Sequence, residues 1–458
     1  MHSWAMYDWA NSAFLLTVRT AIFPIYFEAV SRTHAIEQGA NANQNTYLVD
    51  FLGLKIQNSV AYSYNTSLAF LAVVILLPML SGIADFGGLK RRFMQFFCYL
   101  GAIACMAMYF FTKDNISFGL YMMFIATVGL YGSLAFYNSF LPEIATNDKI
   151  DALSAKGFML GYVGSVLLLI INLVVIQKCE WFFDVDGFAN QLVTSTNVTI
   201  QAATETAFSH YKGIASRVAF LSVGVWWIGF AQITFSNLPK EHSKGKITKK
   251  VFGEGFREFK QVFLDLRQHK MLKIYLIGFL FASIGLQTTM NLASLFGAKE
   301  LNMPAANLIL VLLIIQLVAA VGAYLMGFVS QKIGNLSVLI LCSVIWIGVG
   351  IGAYFVRTEP QFYVLAAVVG VVMGGMQAIF RSTFAKYIPE NTKNTASYFS
   401  FFDNTEKIAV VIGAFVYGFV DQITGSMRNS ALALTVFFML GLIFLVKGKK
   451  LEQKTEAS

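Results

Sequence analysis

Apolar runs of about 20 residues recur from one end of this 458-residue chain to the other, each long enough to cross the ~30 Å hydrocarbon layer of a bilayer as a helix. Twelve segments are read, at 8–31, 59–84, 94–112, 116–141, 157–177, 214–236, 273–298, 305–330, 335–356, 361–388, 398–420 and 429–447. Inside lipid every backbone N–H and C=O must find a partner within the protein, so only helices and closed barrels span it. A barrel would write ~10-residue strands of alternating polarity, and the runs here are unbroken. The predicted class is therefore an all-α membrane protein. Composition agrees: only 13% of the residues are charged, where soluble domains carry about 25%.

The formal net charge of +9 invites an acidic partner until its distribution is read. With the first loop placed outside, the even-numbered loops and the C-terminal tail hold Lys90, Arg91, Arg92, Lys149, Lys156, Lys332, Lys386, Lys393, the lysines from Lys447 to Lys454 and the basic run from Lys240 to Lys273. That is about 22 of the 34 Lys and Arg, against about nine in the odd-numbered loops, and cytoplasmic loops are the ones enriched in these residues. Both termini are expected in the cytoplasm, with no nucleic acid as partner and the bilayer itself as surroundings. The expected location is the inner or plasma membrane, or the vacuolar membrane in a eukaryotic cell. The first run opens near Tyr7 without a basic leader region or a small-residue cleavage site, so it reads as a retained helix.

Resident chemistry is not expected. Cys98, Cys105 and Cys342 lie inside apolar runs, Cys179 stands alone in a loop, and no Cys/His pair has metal spacing. No GxxxxGK[ST] phosphate loop is present. The expectation is no metal, no cofactor and no catalytic residue.

The long loops 32–58 and 178–213 are polar and rich in Asn, Thr and Gln. The stretch 237–272 differs, because Phe252, Phe256, Phe259, Val262, Phe263 and Leu266 fall near helical spacing with charges between them. That pattern predicts an amphipathic helix on the cytoplasmic membrane surface. Its place after six segments divides the chain into a half at 1–236, a linker at 237–272, a second half at 273–447 and a tail at 448–458. The halves repeat. Ser81, Asp85 and Gly88 recur as Gly327, Gln331 and Gly334, 246 residues on (327 − 81), and Pro142 recurs as Pro389 at 247. Two matches at nearly one offset, both at cytoplasmic helix ends, predict parallel six-helix halves, the plan of the major facilitator fold.

The turn after segment 2 carries the gating candidates Asp85, Gly88, Arg91 and Arg92, echoed by Gln331 and Gly334 after segment 8. Glycine permits the tight turn, and Asp85 is placed to meet a helix end or a basic group across the seam between halves. Gln331 stands where the first copy has Asp85, so charge pairing is not expected from it. Ionisable residues inside spans cost roughly 2.5–3.5 kcal/mol on insertion scales and are usually functional or paired. Asp8, Asn11, Leu15, Arg19 and Tyr26 form one stripe on segment 1; Ser283, Gln287, Asn291 and Ser294 form another on segment 7. Segment 10 carries Gln377 and Arg381, and segment 4 carries Tyr131 and Asn138. These stripes fall on the four segments that line the cavity of the major facilitator fold. Two readings stand for Arg19: a clamp for a carboxylate or phosphate, or the partner of an internal acid such as Asp8 or Asp403. Arg381, about 10 Å from its helix end, is read as a binding or a gating residue. Asp403, Glu406 and Lys407 on segment 11 read as an internal ion-pair cluster, with Arg381 as a further cation, or as a coupling-proton site.

The start Ser3-Trp4-Ala5-Met6-Tyr7-Asp8-Trp9-Ala10-Asn11-Ser12, with Phe23-Pro24-Ile25-Tyr26-Phe27, resembles that of the vacuole effluxer family, major facilitator proteins related to the autophagy-associated amino-acid effluxer of fungal vacuoles. The likeness runs on through Leu141-Pro142-Glu143-Ile144-Ala145, Gly161-Tyr162-Val163-Gly164 and Gly374-Gly375-Met376-Gln377-Ala378 with Arg381-Ser382, and so covers nearly the whole chain. It implies a twelve-helix facilitator moving small solutes, which in fungal members are amino acids, including large apolar ones. The resemblance extends to Asp8, Asn11, Gln377, Arg381 and Lys407. Asp403 and Glu406 depart from the family pattern, so a proton site there is not implied. The lean loops look like those of a bacterial member.

The function expected is secondary active transport of a small zwitterion or anion, amino acids first, by rocking of two halves, with protons as coupling ion and the monomer as working unit. Arg19 would hold the carboxylate, with Asn11, Gln287, Asn291 and Gln377 orienting the solute. The rivals are an exporter or flippase of amphiphiles, a non-transporting sensor, and a membrane enzyme acting on lipid, for which no nucleophile or His/Asp pair is found at helical spacing.

Overall fold

The computed structural model describes residues 1–39, 41, 47–196, 198–239, 249–389 and 392–456; the side chains of 249–256, 258, 291, 292, 294, 305, 306, 455 and 456 lie outside that description. Twelve helices among the described residues are long and apolar enough to cross a membrane. In chain order the helices are α1 (His2–Glu37), α2 (Asn58–Gly87), α3 (Lys90–Ala107), α4 (Ile116–Ser139), α5 (Ile150–Gln177), α6 (Val185–Thr196), α7 (Ile200–Asn237), α8 (Lys249–Gln268), α9 (Lys270–Leu301), α10 (Ala305–Ile333), α11 (Asn335–Phe355), α12 (Glu359–Tyr387), α13 (Thr395–Thr424) and α14 (Met427–Glu456). All but α6 and α8 span. An even number of spans places both chain ends on one face, here termed the terminal face; the opposite one is the loop face. Phe415, Val364 and Phe328 are more than half exposed, as side chains turned to lipid should be.

Spans α1 to α7 form one six-helix half and α9 to α14 the other. The halves meet where α5 packs on α10 and α12, and where α13 packs on α2 and α4. The helix predicted in the linker is α8. It packs along α2 and touches α13, stacking Phe259 on Phe401 at 4.7 Å with Val262 and Leu266 buried. Its more N-terminal phenylalanines, Phe252 and Phe256, and the basic run before it lie outside the described side chains.

Two departures from the sequence reading sit on the loop face. Residues 48–57 are a hairpin of β1 (Leu48–Phe51) and β2 (Leu54–Gln57), turned at Leu52 and Gly53, both with positive φ. The sixth span begins at Ile200 rather than near 214, because Thr199 caps an Ala-rich stretch of high helix propensity. At 38 residues α7 is about 57 Å long, so its first turns stand clear of a ~30 Å bilayer core. There α6 packs on it around Cys179, Val185, Ala189, Ala203 and Ala207. Burial pushes the Cys179 thiol up, away from the reactive thiolate.

Candidate functional site

The polar stripes converge on one cavity of about 210 Å³ between the halves. Asp8, Asn11 and Arg19 of α1, Tyr131 and Asn138 of α4, Gln287 of α9, Gln377 and Arg381 of α12, and Asp403, Glu406 and Lys407 of α13 all reach its wall. Asn291 lies on α9 with its side chain outside the described residues.

Arg19 lies in a π-helical stretch, Phe14–Ile22, within α1. One turn on, Pro24 has no N–H to give the Thr20 carbonyl. The wider i→i+5 turns delay the rotation of the helix. Tyr26 therefore leaves the stripe: its hydroxyl donates to the Phe111 carbonyl at 2.8 Å, between helices. Arg19 donates to the Tyr131 hydroxyl at 2.6 Å and lies over the rings of Phe70 and Tyr131 at 4.9 and 5.7 Å. Among the described residues no carboxylate is within ion-pair reach of it; Asp8 pairs with Arg381, and Glu406 with Lys407. A guanidinium held by aromatic faces keeps most of its donor fork for a ligand.

Toward the terminal face the cavity is floored by the Arg381–Asp8 pair at 3.0 Å, with both side chains at most 8% exposed. Arg381 also donates to the Ser154 hydroxyl (3.0 Å) and carbonyl (2.8 Å), meets Asn138 Oδ1 at 3.5 Å and stacks on Phe158 at 4.1 Å. Asp8 accepts a further bond from the Tyr137 hydroxyl at 2.9 Å. The close approach needs Gly157, where a Cβ would stand 2.3 Å from Asp8 Oδ2 and 2.7 Å from Arg381 Nη2.

The second-half wall is compensated differently. Glu406 accepts from Gln287 at 2.5 Å and pairs with Lys407 at 3.2 Å, while the Lys407 ammonium lies 4.2 Å from the Tyr131 ring centre. Asp403 meets the Asn138 amide at 3.5 Å through one oxygen, and its Oδ2 has no hydrogen-bond partner among the described residues. Gln377 accepts from the Tyr162 hydroxyl, and Asn11 donates to the Tyr7 carbonyl at 2.7 Å.

Below the floor, two seams close the terminal face. At the first, Asp85 accepts from the N–H groups of Ala396 (3.1 Å) and Ser397 (2.7 Å) in the opening turn of α13, where unpaired donors and the helix dipole favour an anion. Lys90 lies 3.9 Å from Asp85, bonds Glu143 and donates to Thr395 at 3.1 Å. Gly88, at φ +64°, makes the turn between α2 and α3. Arg91 donates to the Phe235 and Leu238 carbonyls of its own half, and Arg92 is exposed. At the second seam Gly327 lies against Ala155, Gly334 turns with φ +83°, and Gln331 is exposed. Charge pairing does occur there, from another residue: buried Asp151 of α5 accepts from Asn335 at 2.7 Å and pairs with Lys386 at 2.5 Å. Sequence reasoning passed over Asp151, Lys90 and Ser154, which make contacts across the seam. Their partners stand 235, 305 and 227 positions away, and no local spacing signals that. Among the described residues no group of three or more His, Cys, Asp or Glu is placed to hold a metal.

Two six-helix halves around a central polar cavity, in contact at one face through the turn after the second span, have the architecture of a major facilitator transporter. Solved structures show the same fold: the major facilitator transporter FucP in the outward conformation (TM-score 0.64, 14% identity, 98% of this chain and 97% of that one) and the human organic anion transporter MFSD10 (0.62, 12%, 97% of each). The chain belongs to the vacuole effluxer Atg22-like family, whose model matches residues 1–457. It is 27% identical over 446 residues to the uncharacterised MFS-type transporter YxiO of Bacillus subtilis, covering 97% of this chain and 93% of that protein. It is 22% identical to autophagy-related protein 22 of Saccharomyces cerevisiae strain S288c, covering 96% and 89%.

Proposed function

We propose that this chain is a secondary active transporter moving a small carboxylate-bearing solute, amino acids first, by alternating access of a single central site. The observation that carries the reading is Arg19: a guanidinium on the cavity wall with no carboxylate in reach among the described residues, backed by Tyr131 and Phe70. Arg19 is half-buried on the wall of a cavity inside the membrane, where an ionisable group is usually functional or paired, and a solute carboxylate supplies the counter-ion. The cavity forms within one chain, which supports a monomeric working unit. The Lys and Arg bias supports a terminal face, and with it both termini, on the cytoplasmic side of a cell membrane. The moving bodies are 1–236 and 273–447, joined by the linker 237–272, with 448–458 as tail. Two relatives in fold are described as fucose:proton and proton:xylose symporters, which supports protons as the coupling ion. Asp85, with Gly88 and the Arg91/Arg92 turn, and the Gln331–Gly334 turn with Asp151 and Lys386, hold the terminal-face gate. Asp8 and Arg381 form its innermost bar, Asn138 bridges it to Asp403, and Asn11, Gln287 and Gln377 orient the solute.

The test is flux in proteoliposomes. Labelled L-amino acids and small organic anions are offered with and without a pH gradient. Saturable uptake by the wild type and its loss in Arg19→Ala is the expected result. No flux of any of these solutes would overturn the reading.

A further inference from the structure

We infer that Glu406 recognises an ammonium group on the transported solute and that Lys407 is its built-in stand-in, occupying Glu406 while the site is empty. The inference rests on the reading of the cavity as a carboxylate site centred on Arg19, and adds the group that reads the other end of the solute.

Three carboxylates reach the cavity wall, and they differ in what they have left to offer. Asp8 is committed to Arg381 and Tyr137, with its side chain 8% exposed. Asp403 is buried at 4%. Glu406 is 26% exposed, which makes it the carboxylate an entering solute meets. It is held from behind by Gln287, whose amide fixes one oxygen at 2.5 Å, while the other oxygen carries Lys407 at 3.2 Å.

Lys407 is buried, and an ammonium in the membrane interior keeps an acid beside it. Two lie in reach along its helix: Glu406, next in sequence, and Asp403, one turn earlier on the same face. Lys407 pairs with Glu406, and Asp403 Oδ2 has no hydrogen-bond partner among the described residues. A solute ammonium arriving at Glu406 brings the charge that Lys407 supplied. Lys407 then swings one turn to Asp403, and each of the three carboxylates now faces a cation. A solute lacking the amine cannot make this exchange, because displacing Lys407 would leave Glu406 uncompensated. Tyr131 ties the two ends together: its hydroxyl takes the Arg19 donor and its ring lies under the Lys407 ammonium, so the carboxylate-reading and amine-reading groups share one aromatic wall.

The experiment compares matched pairs on the purified full-length protein: L-alanine, L-leucine and L-phenylalanine, each against its 2-hydroxy acid, by ligand-induced thermal stabilisation. The wild type prefers the amine. Glu406→Gln lowers that preference by about tenfold or more, since a site built for a polar group discriminates strongly against the analogue lacking it. Lys407→Gln moves the other way and binds the amino acids more tightly, because the competing cation is gone. A merely structural network would weaken both variants alike, and that outcome overturns the inference. So does an amine preference unchanged in Glu406→Gln, or a wild type that binds both members of each pair equally; in the last case the Arg19 reading stands. If no carboxylate of either kind stabilises the wild type, both readings fall.

Discussion

Two arginines sit in the interior of this bundle and do opposite things. Arg381 is buried at 3%, paired with Asp8, and satisfied by Ser154 and Asn138, all in the other half of the molecule. Arg19 lies partly open on the cavity wall, held by one tyrosine hydroxyl and two rings of its own half. The same side chain is a bolt where its fork is filled from across the seam, and we propose it as a receptor where most of its fork is left open on the cavity wall. The difference lies in what the fold places opposite, so each arginine fails in its own way when altered.

The largest effect on the empty protein is expected at the bolt. Arg381→Ala or Asp8→Ala alone should cost about 3–5 kcal/mol, because each strands a buried charge. Asp8→Asn combined with Arg381→Gln should cost less than the sum of its single changes, and a double-mutant cycle on unfolding in detergent reads the coupling directly. Gly157→Val comes next. Its side chain overlaps Asp8 and Arg381, and overpacking of this kind costs about 1–3 kcal/mol, read as a fall in melting temperature without loss of the Arg19 site. Asp85→Asn is smaller, since it removes a charge at a helix N-terminus worth about 0.3–2 kcal/mol. Spin labels at Leu52→Cys and Asn302→Cys on the loop face should move closer as the terminal face loosens. Arg19→Ala should change the stability of the empty protein least, within about 0.5 kcal/mol, and ligand binding most. A destabilisation of Arg19→Ala comparable to that of Arg381→Ala would erase the contrast.

The twelve spans were legible because hydropathy alone dictates them, and Arg19 stood out because a charge in an apolar run is expensive. Segment 1 shows where that legibility stops. Its stripe, stepped at α-helical spacing, held as far as Arg19 and then failed at Tyr26, where the π-helical turns change the rotation. The Asp8–Arg381 bolt was not legible, since its members are 373 residues apart and pair across the seam between the halves. Sequence offered Asp8 as a partner for Arg19; the fold gave it to Arg381. The seams on the terminal face were half legible. Asp85 announced itself by its turn, but its partners are backbone N–H groups of α13, which carry no side-chain signature. Gln331 marked the second seam, while the charges there come from Asp151 and Lys386, on helices whose sequences give no hint of meeting. The loop-face structure was missed because the Asn- and Thr-rich composition of 178–213 hides the alanines that extend α7.

The central claim, that Arg19 is the receptor and not a second bolt, is tested most directly by the melting temperature of the wild type and Arg19→Ala across a concentration series of L-amino acids. A specific ligand stabilises by RT ln(1 + [L]/Kd). If Arg19 receives the solute, the wild type shows saturable stabilisation, Arg19→Ala shows none, and the two empty proteins melt at nearly equal temperatures. Equal stabilisation of both by the same amino acid would contradict it.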